Sequence, residues 1–497
     1  MSEQQTSYRQ IMKATSLFGG VQVINILIAI IRSKFIAVLL GPTGMGIAGL
    51  LSSTTGLIGG LTNFGLGTSA VRNVAAANGT GNQSRIAIIL TVLRRWVWVT
   101  GLLGMIVTIA AAPALSRVTF GNSNYTFPFI WISVSLLLTQ LSTGQMILLQ
   151  GMRKLQYLAK ANLAGSLLGL IMTLPLYYWL GINGIVPAII ISSVIAFTCA
   201  WYFGRKINVE KVKVSKARTI VEGKEMLAMG FMISISGLIT LGTSYIVRIF
   251  ISNHGGVAEV GLYNAGFAIV NSYVGLIFTA MATDYYPRLA AVAHNNADCS
   301  KVINQQAEIS ILIMAPIIII FVVFINWVVI ILYSEKFAAV NHMILWAALG
   351  MLFKAVSWAI GFIFLAKGEK KLFFFSELIA NIYTLAFNVV GYYLLGLTGL
   401  GISFLVSYFL YLIQVYYLAK NKFQFSFKKE MNSIFLIQFT LAFFSFLPAL
   451  ILKGSISYLS GGLLFLISII YSYRELDKRI NLSVLIKNII PNKVIRR

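Results

Sequence analysis

Residues 312–331 read LIMAPIIIIFVVFINWVVII, twenty positions without a charged side chain. As a helix, a run of that length covers about 30 Å, the hydrocarbon thickness of a bilayer. Helix is also what lipid demands of it, because every backbone N–H and C=O must find its partner inside the segment. The same pattern extends outward in both directions. Of the 497 residues, 58% are hydrophobic and 11% are charged, where a soluble domain carries about 25% charged residues. Apolar runs between polar breaks give fourteen candidate helices: six between 11 and 204, six between 224 and 419, and a last pair between 431 and 473. The expected fold class is an all-α polytopic membrane protein. Residues 1–10 are polar, and no small-residue cleavage site follows a short apolar run, so the first apolar segment is expected to act as an uncleaved anchor.

A net charge of +25 would point to nucleic acid in a soluble protein. Here it follows the orientation rule for membrane helices. With the N-terminus inside, 32 of the 39 lysines and arginines fall in segments on the cytoplasmic side. Arg117, Lys336 and Lys453 alone lie opposite, and Arg32, Lys34, Arg248 and Lys354 fall within helices. This split predicts an even number of crossings with both termini cytoplasmic, and no nucleic-acid partner. Cys199 and Cys299 have no metal-ligand spacing, and neither do the three histidines, so no metal or other cofactor is expected. No phosphate-cradling G-x-x-x-x-G-K-[ST] loop occurs. Catalytic residues are not expected either: the outer loops are short, and no paired carboxylates stand ready for the acid–base work of a glycosyltransferase or polymerase.

Self-comparison reveals an internal repeat. Gly41-Pro42-Thr43-Gly44-Met45-Gly46 matches Gly256-Val257-Ala258-Glu259-Val260-Gly261 at an offset of 215. Arg72 pairs with Arg288 at 216, and Gly151-Met152-Arg153-Lys154-Leu155 with Gly368-Glu369-Lys370-Lys371-Leu372 at 217. Tyr177-Tyr178-Trp179-Leu180-Gly181-Ile182-Asn183-Gly184 pairs with Tyr392-Tyr393-Leu394-Leu395-Gly396-Leu397-Thr398-Gly399, again at 215. The unit is six helices, so both copies start on the same side and form parallel lobes, with substrate expected between them. The expected organisation is an N-lobe at 1–204, a basic cytoplasmic linker at 205–223, a C-lobe at 224–420, accessory helices at 421–473 and a basic cytoplasmic tail at 474–497. The tail suits an interfacial helix on anionic lipid, or a loose basic extension.

An ionisable group inside hydrocarbon costs at least about 2.5–3.5 kcal/mol, so it faces a partner or a wet cavity. Arg32, Lys34, Arg248 and Lys354 therefore become candidate ligands for an anion, and the guanidinium fork suits phosphate. Arg248 is the repeat mate of the Arg32–Lys34 region. The intramembrane acids are few. Glu377 could pair with Lys354 or take part in coupling. Asp284 is a second candidate for coupling, or a helix-end partner of Arg288. Glu308 lies near a cytoplasmic helix end, where it could be solvated.

The Gly41-Pro42-x-Gly44-x-Gly46 turn resembles bacterial O-antigen flippases of the Wzx type, within the multidrug/oligosaccharidyl-lipid/polysaccharide exporter superfamily. So do Lys336-Phe337, Trp346, Lys354, Ala366-Lys367 and Glu377 in their order and spacing. The resemblance runs to about residue 419 and implies a MATE-like pair of six-helix lobes working by alternating access. It implies an undecaprenyl-pyrophosphate-linked oligosaccharide as substrate, moved to the periplasmic leaflet of the inner membrane in lipopolysaccharide biosynthesis. It further implies Arg32 or Lys34, Arg248 and Lys354 as the cavity cations. The pathway's polymerase and chain-length regulator are the implied protein partners. The superfamily's multidrug branch is the alternative, and it would be expected to place carboxylates in the cavity.

Overall fold

The computed structural model describes residues 3–209, 212–451 and 455–480. The helices are α1 (Glu3–Thr62), α2 (Leu66–Gly79), α3 (Gln83–Phe120), α4 (Thr126–Gly151), α5 (Leu155–Leu180), α6 (Ile185–Gly204), α7 (Lys216–Gly255), α8 (Val257–Phe267), α9 (Leu276–Ala291), α10 (Asn296–Val323), α11 (Ile325–Leu332), α12 (Asn341–Ala366), α13 (Lys370–Phe423), α14 (Lys429–Ile451) and α15 (Ser455–Ile480). A π-helical turn, Ala268–Val274, joins α8 to α9. Among the described residues there is no strand.

Among the described residues, ten helical stretches are long and apolar enough to cross a membrane. Three of them are double, divided at Gly41, Gly181 and Gly396. With the α8–π–α9 run the total is fourteen, and the protein is a polytopic, all-α membrane protein. The expected helix 2 continues past its turn at Phe64–Gly65 into α2. Lys453 and the tail segment 481–497 lie outside the described residues. The basic run Arg474–Arg479 is the last part of α15.

The repeat is written in the backbone. Gly41 and Gly256 have φ of 66° and 87°, Arg153 and Gly368 have 54° and 74°, and Gly181 and Gly396 have 56° and 58°; the backbone thus aligns Gly368 with Arg153 and not with Gly151, the pairing at an offset of 217. Each pair is separated by 215 residues. α4 and α12 are both 26 residues long and start 215 residues apart. The turns Gly41 and Gly181 reverse the chain between two apolar helices with almost no intervening polar loop. Only a residue without Cβ takes such conformations at no steric cost.

The chain forms two compact units. One comprises residues up to Leu262 together with Leu332–Lys336; the other comprises Tyr263–Ile331 and the residues from Phe337 onward. In the first unit, α3 packs on α4, α5 on α6, α1 on α5, and α7 on α1, α2 and α3. Leu66, Val74, Leu90, Leu93 and Met226 share one core with Val214 of the basic 205–223 segment. That segment is bound to the bundle: Arg95 Nη1 donates to the Val214 carbonyl at 2.9 Å and to Thr219 Oγ1 at 2.6 Å.

Helix α7 is held at both ends. At one, Glu222 pairs with Arg85 and Arg218, and the Trp96 indole donates to the Thr219 carbonyl at 3.0 Å. At the other, Tyr245 shares a 2.6 Å hydrogen bond with Thr119, and Asn253 donates to the Val118 carbonyl. Beyond it the two repeat hexapeptides meet. A Cβ on Gly46 would collide with the Val257 carbonyl oxygen, and a Cβ on Gly261 with the Pro42 carbonyl oxygen. The offset of 215 carries Pro42 to Val257 and Gly46 to Gly261. The contact is therefore reciprocal, as across a two-fold axis.

In the second unit α10 and α12 are the buried helices, α12 packing on α13 and α10 on α12, α14 and α15. The accessory pair α14–α15 is joined by Gln438, which binds Ser468 and Ser472. Arg479 of α15 donates to Glu308 of α10 at 2.7 Å and to Glu475 at 2.5 Å. Glu308 is only 9% exposed, so it is not the solvated acid expected at a cytoplasmic helix end. The basic end of α15 reaches back and covers it.

Candidate substrate site

Lys354 is near the midpoint of α12, too far from either end for its four-carbon stem to carry the ammonium to water. Its Nζ donates to Asn271 Oδ1 at 2.9 Å. It also lies 5.1 Å from the ring centre of Tyr408 and 5.8 Å from those of Phe278 and Phe404. Among the described residues no carboxylate stands within 4 Å of it. Ring faces contribute about 0.5–2 kcal/mol each to a cation, and a neutral hydrogen bond about 1 kcal/mol. Together these offset the cost of placing an ammonium in hydrocarbon without neutralising it. The Lys354 ammonium is thus held with no carboxylate among the described residues in contact with it.

Two local features place these groups. Phe404 and Tyr408 are four residues apart on α13, hence on one face. Asn271 belongs to the π turn. The repeat offset is 215 at Gly46/Gly261 and 216 at Arg72/Arg288, so one residue has been inserted between them. An inserted residue is accommodated in a helix as a π turn, a feature frequent at functional sites. Sequence reading did not find Asn271, Phe278, Phe404 or Tyr408. The step in offset was the available signal.

Glu377 is joined to the same site through aromatic rings. Tyr411 Oη donates to Glu377 Oε1 at 2.5 Å, and the Tyr411 ring stands edge-on to Tyr408 at 6.4 Å. Tyr408 in turn faces Lys354. The possible Lys354–Glu377 ion pair is replaced by this relay. Asp284 lies elsewhere on α9, highly exposed and 3.8 Å from Arg288.

The other three cations belong to the first unit. Arg32 extends from α1 over Gly169 of α5, where a Cβ would stand 3.4 Å from Nη2 and 3.9 Å from Ser192 Oγ of α6. Its buried Nε has no hydrogen-bond partner among the described residues. Lys34 Nζ donates to the Tyr333 carbonyl at 2.6 Å. Arg248 Nη1 turns back along α7 to the carbonyl and hydroxyl of Ser244, at 2.9 and 2.5 Å.

Among known proteins, the lipid III flippase of Escherichia coli (strain K12) is 21% identical over 370 residues, covering 73% of this chain and 87% of that protein. Solved structures share the fold, and two of them serve as examples. The lipid II flippase MurJ in an inward closed conformation matches 94% of this chain and 99% of its own, with a TM-score of 0.67 and 12% identity. An inward-facing multidrug resistance MATE family transporter of the MOP superfamily matches 83% and 96%, with a TM-score of 0.68 and 15% identity. The family model described as polysaccharide biosynthesis protein matches residues 11–293, more than half of the sequence, and the chain belongs to that family.

Proposed function

We propose that the protein is a secondary-type flippase. It carries an undecaprenyl-pyrophosphate-linked O-antigen or polysaccharide repeat unit from the cytoplasmic to the periplasmic leaflet of the bacterial inner membrane, by alternating access, with both termini cytoplasmic. The observation that supports this most is the un-neutralised Lys354 ammonium at the middle of a buried membrane helix. An anionic headgroup would complete its coordination. Arg32, with a buried N–H left over, and Lys34 and Arg248 are the further cations of the translocation route. The lobes of this mechanism are residues 1–204 and 224–420. Likeness to the lipid III flippase favours a polyprenyl-linked cargo. Glu377, held by Tyr411 and connected through Tyr408 to Lys354, is the group proposed for coupling, with Asp284 second. A cation-exporting drug transporter is the weaker reading, because Glu377 is already engaged and the open charge at the site is positive.

Complementation of a flippase-deficient strain tests this. R248Q and K354Q should each reduce surface polysaccharide at normal protein level. Normal polysaccharide in both variants would sink the assignment.

A further inference from the structure

A second cationic cavity, of about 490 Å³, lies within the first unit, far from Lys354 along the chain. Its lining includes Arg94 and Trp98 of α3, Gln145 of α4, Trp201 at the end of α6, and Arg205 and Asn208 just beyond. The Arg205 guanidinium stacks on the Trp201 indole, 4.5 Å from its centre. Arg94 is exposed and has no hydrogen bond or ion pair to the described residues. Trp98 and Trp201 are 50% and 42% exposed.

The depth of this cavity follows from helix lengths. α3 has 38 residues, about 57 Å of helix, nearly twice the hydrocarbon thickness. Its first turns project beyond the bilayer and put Arg94 and Trp98 near the interface. α6 ends at Gly204, which brings Trp201 and Arg205 to the same side. Paired tryptophans mark the headgroup level, and the guanidinium fork matches a phosphodiester. The rest of the wall is apolar, with Val97, Leu141 and Phe197. A free phosphate would have no use for those surfaces, whereas a lipid offers a phosphate and a chain together.

We propose that this cavity binds the headgroup of an anionic phospholipid of the surrounding bilayer, Arg94 and Arg205 taking the phosphate and the two indoles the glycerol and upper chain. The site is independent of the translocated cargo. It gives the basic segment 205–209 a task besides orientation, because a bound lipid anchors the junction between α6 and the chain leading to α7.

The test uses the full chain in nanodiscs of equal parts phosphatidylglycerol and phosphatidylethanolamine, followed by native mass spectrometry of retained lipid. The wild type should keep phosphatidylglycerol preferentially. R94Q/R205Q should lower its retention by about tenfold, as expected for two cationic headgroup contacts. K154Q/K160Q removes equal charge from another exposed basic stretch and should leave retention within about twofold. If R94Q/R205Q is not recovered folded, R94Q alone decides, with a drop of about threefold. An unchanged retention, an equal loss in K154Q/K160Q, or displacement of the lipid by inorganic phosphate would each overturn the proposal.

Discussion

The two repeats share a backbone and differ in chemistry. At the offset of 215, Lys354, Phe404, Tyr408, Glu377 and Tyr411 have Thr139, Ile189, Ser193, Asn162 and Ala196 as their mates. The second copy holds a cation among rings, and the first holds small and neutral groups at the same positions. α1 and α7 differ as well. α1 packs on α5 of its own repeat, whereas α7, its mate, packs on α1, α2 and α3. Shared turns thus preserve the frame, while side chains and packing partners have diverged on it.

The comparison can be broken at the frame or at the side chains. The largest effect is expected at the frame. G46V and G261V each drive a side chain into a carbonyl of the mate hexapeptide, at about 1–3 kcal/mol or more. Thermal melts should show similar losses for the two, because the contact is reciprocal. A harmless G261V beside a damaging G46V would refute the reciprocity. Next come the side chains. K354Q should lower flux at least about tenfold, the loss of a charge-assisted contact worth roughly 1.5–3 kcal/mol. T139V, at the mate position, should stay within about twofold on the same scale. A comparable loss in T139V would mean that the copies share the task equally.

E377Q and Y411F should each slow transport. Y411F strips Glu377 of its donor, a cost of about 1–3 kcal/mol. The double variant should be no slower than the worse single one if the pair acts as a unit, whereas additive losses in vesicle flux would separate them. The smallest effect concerns α15. E308Q should lower stability by about 1–2 kcal/mol, below the full cost of a broken buried pair because Arg479 is partly exposed. E308Q/R479Q should recover part of that loss without altering flux.

Much of the frame was legible in the sequence because lipid leaves few choices. Charge-free runs of membrane length must be helices, and Gly41-Pro42, Gly181 and Gly396 stand where two such helices touch end to end. The site was less legible. Lys354 could be read from its cost in hydrocarbon, but its surroundings depend on which face of α13 meets α12. Composition does not encode that face when both faces are apolar. The Glu308–Arg479 pair joins residues 171 positions apart, and α15, which carries Arg479, lies outside the repeat. Arg32 and Arg248 look equivalent by offset, yet one reaches across to α5 and the other folds back on Ser244.

The reciprocal hexapeptides carry a consequence for inheritance. A gene that duplicates can usually let its copies drift apart, since each half meets its own selection. Here neither copy can. Each added Cβ would meet a backbone carbonyl, which every residue carries, so no change at Val257 or Pro42 makes room for it. Across relatives of this chain Gly46 and Gly261 should therefore both stay glycine, while Thr139 and Lys354 vary without reference to each other.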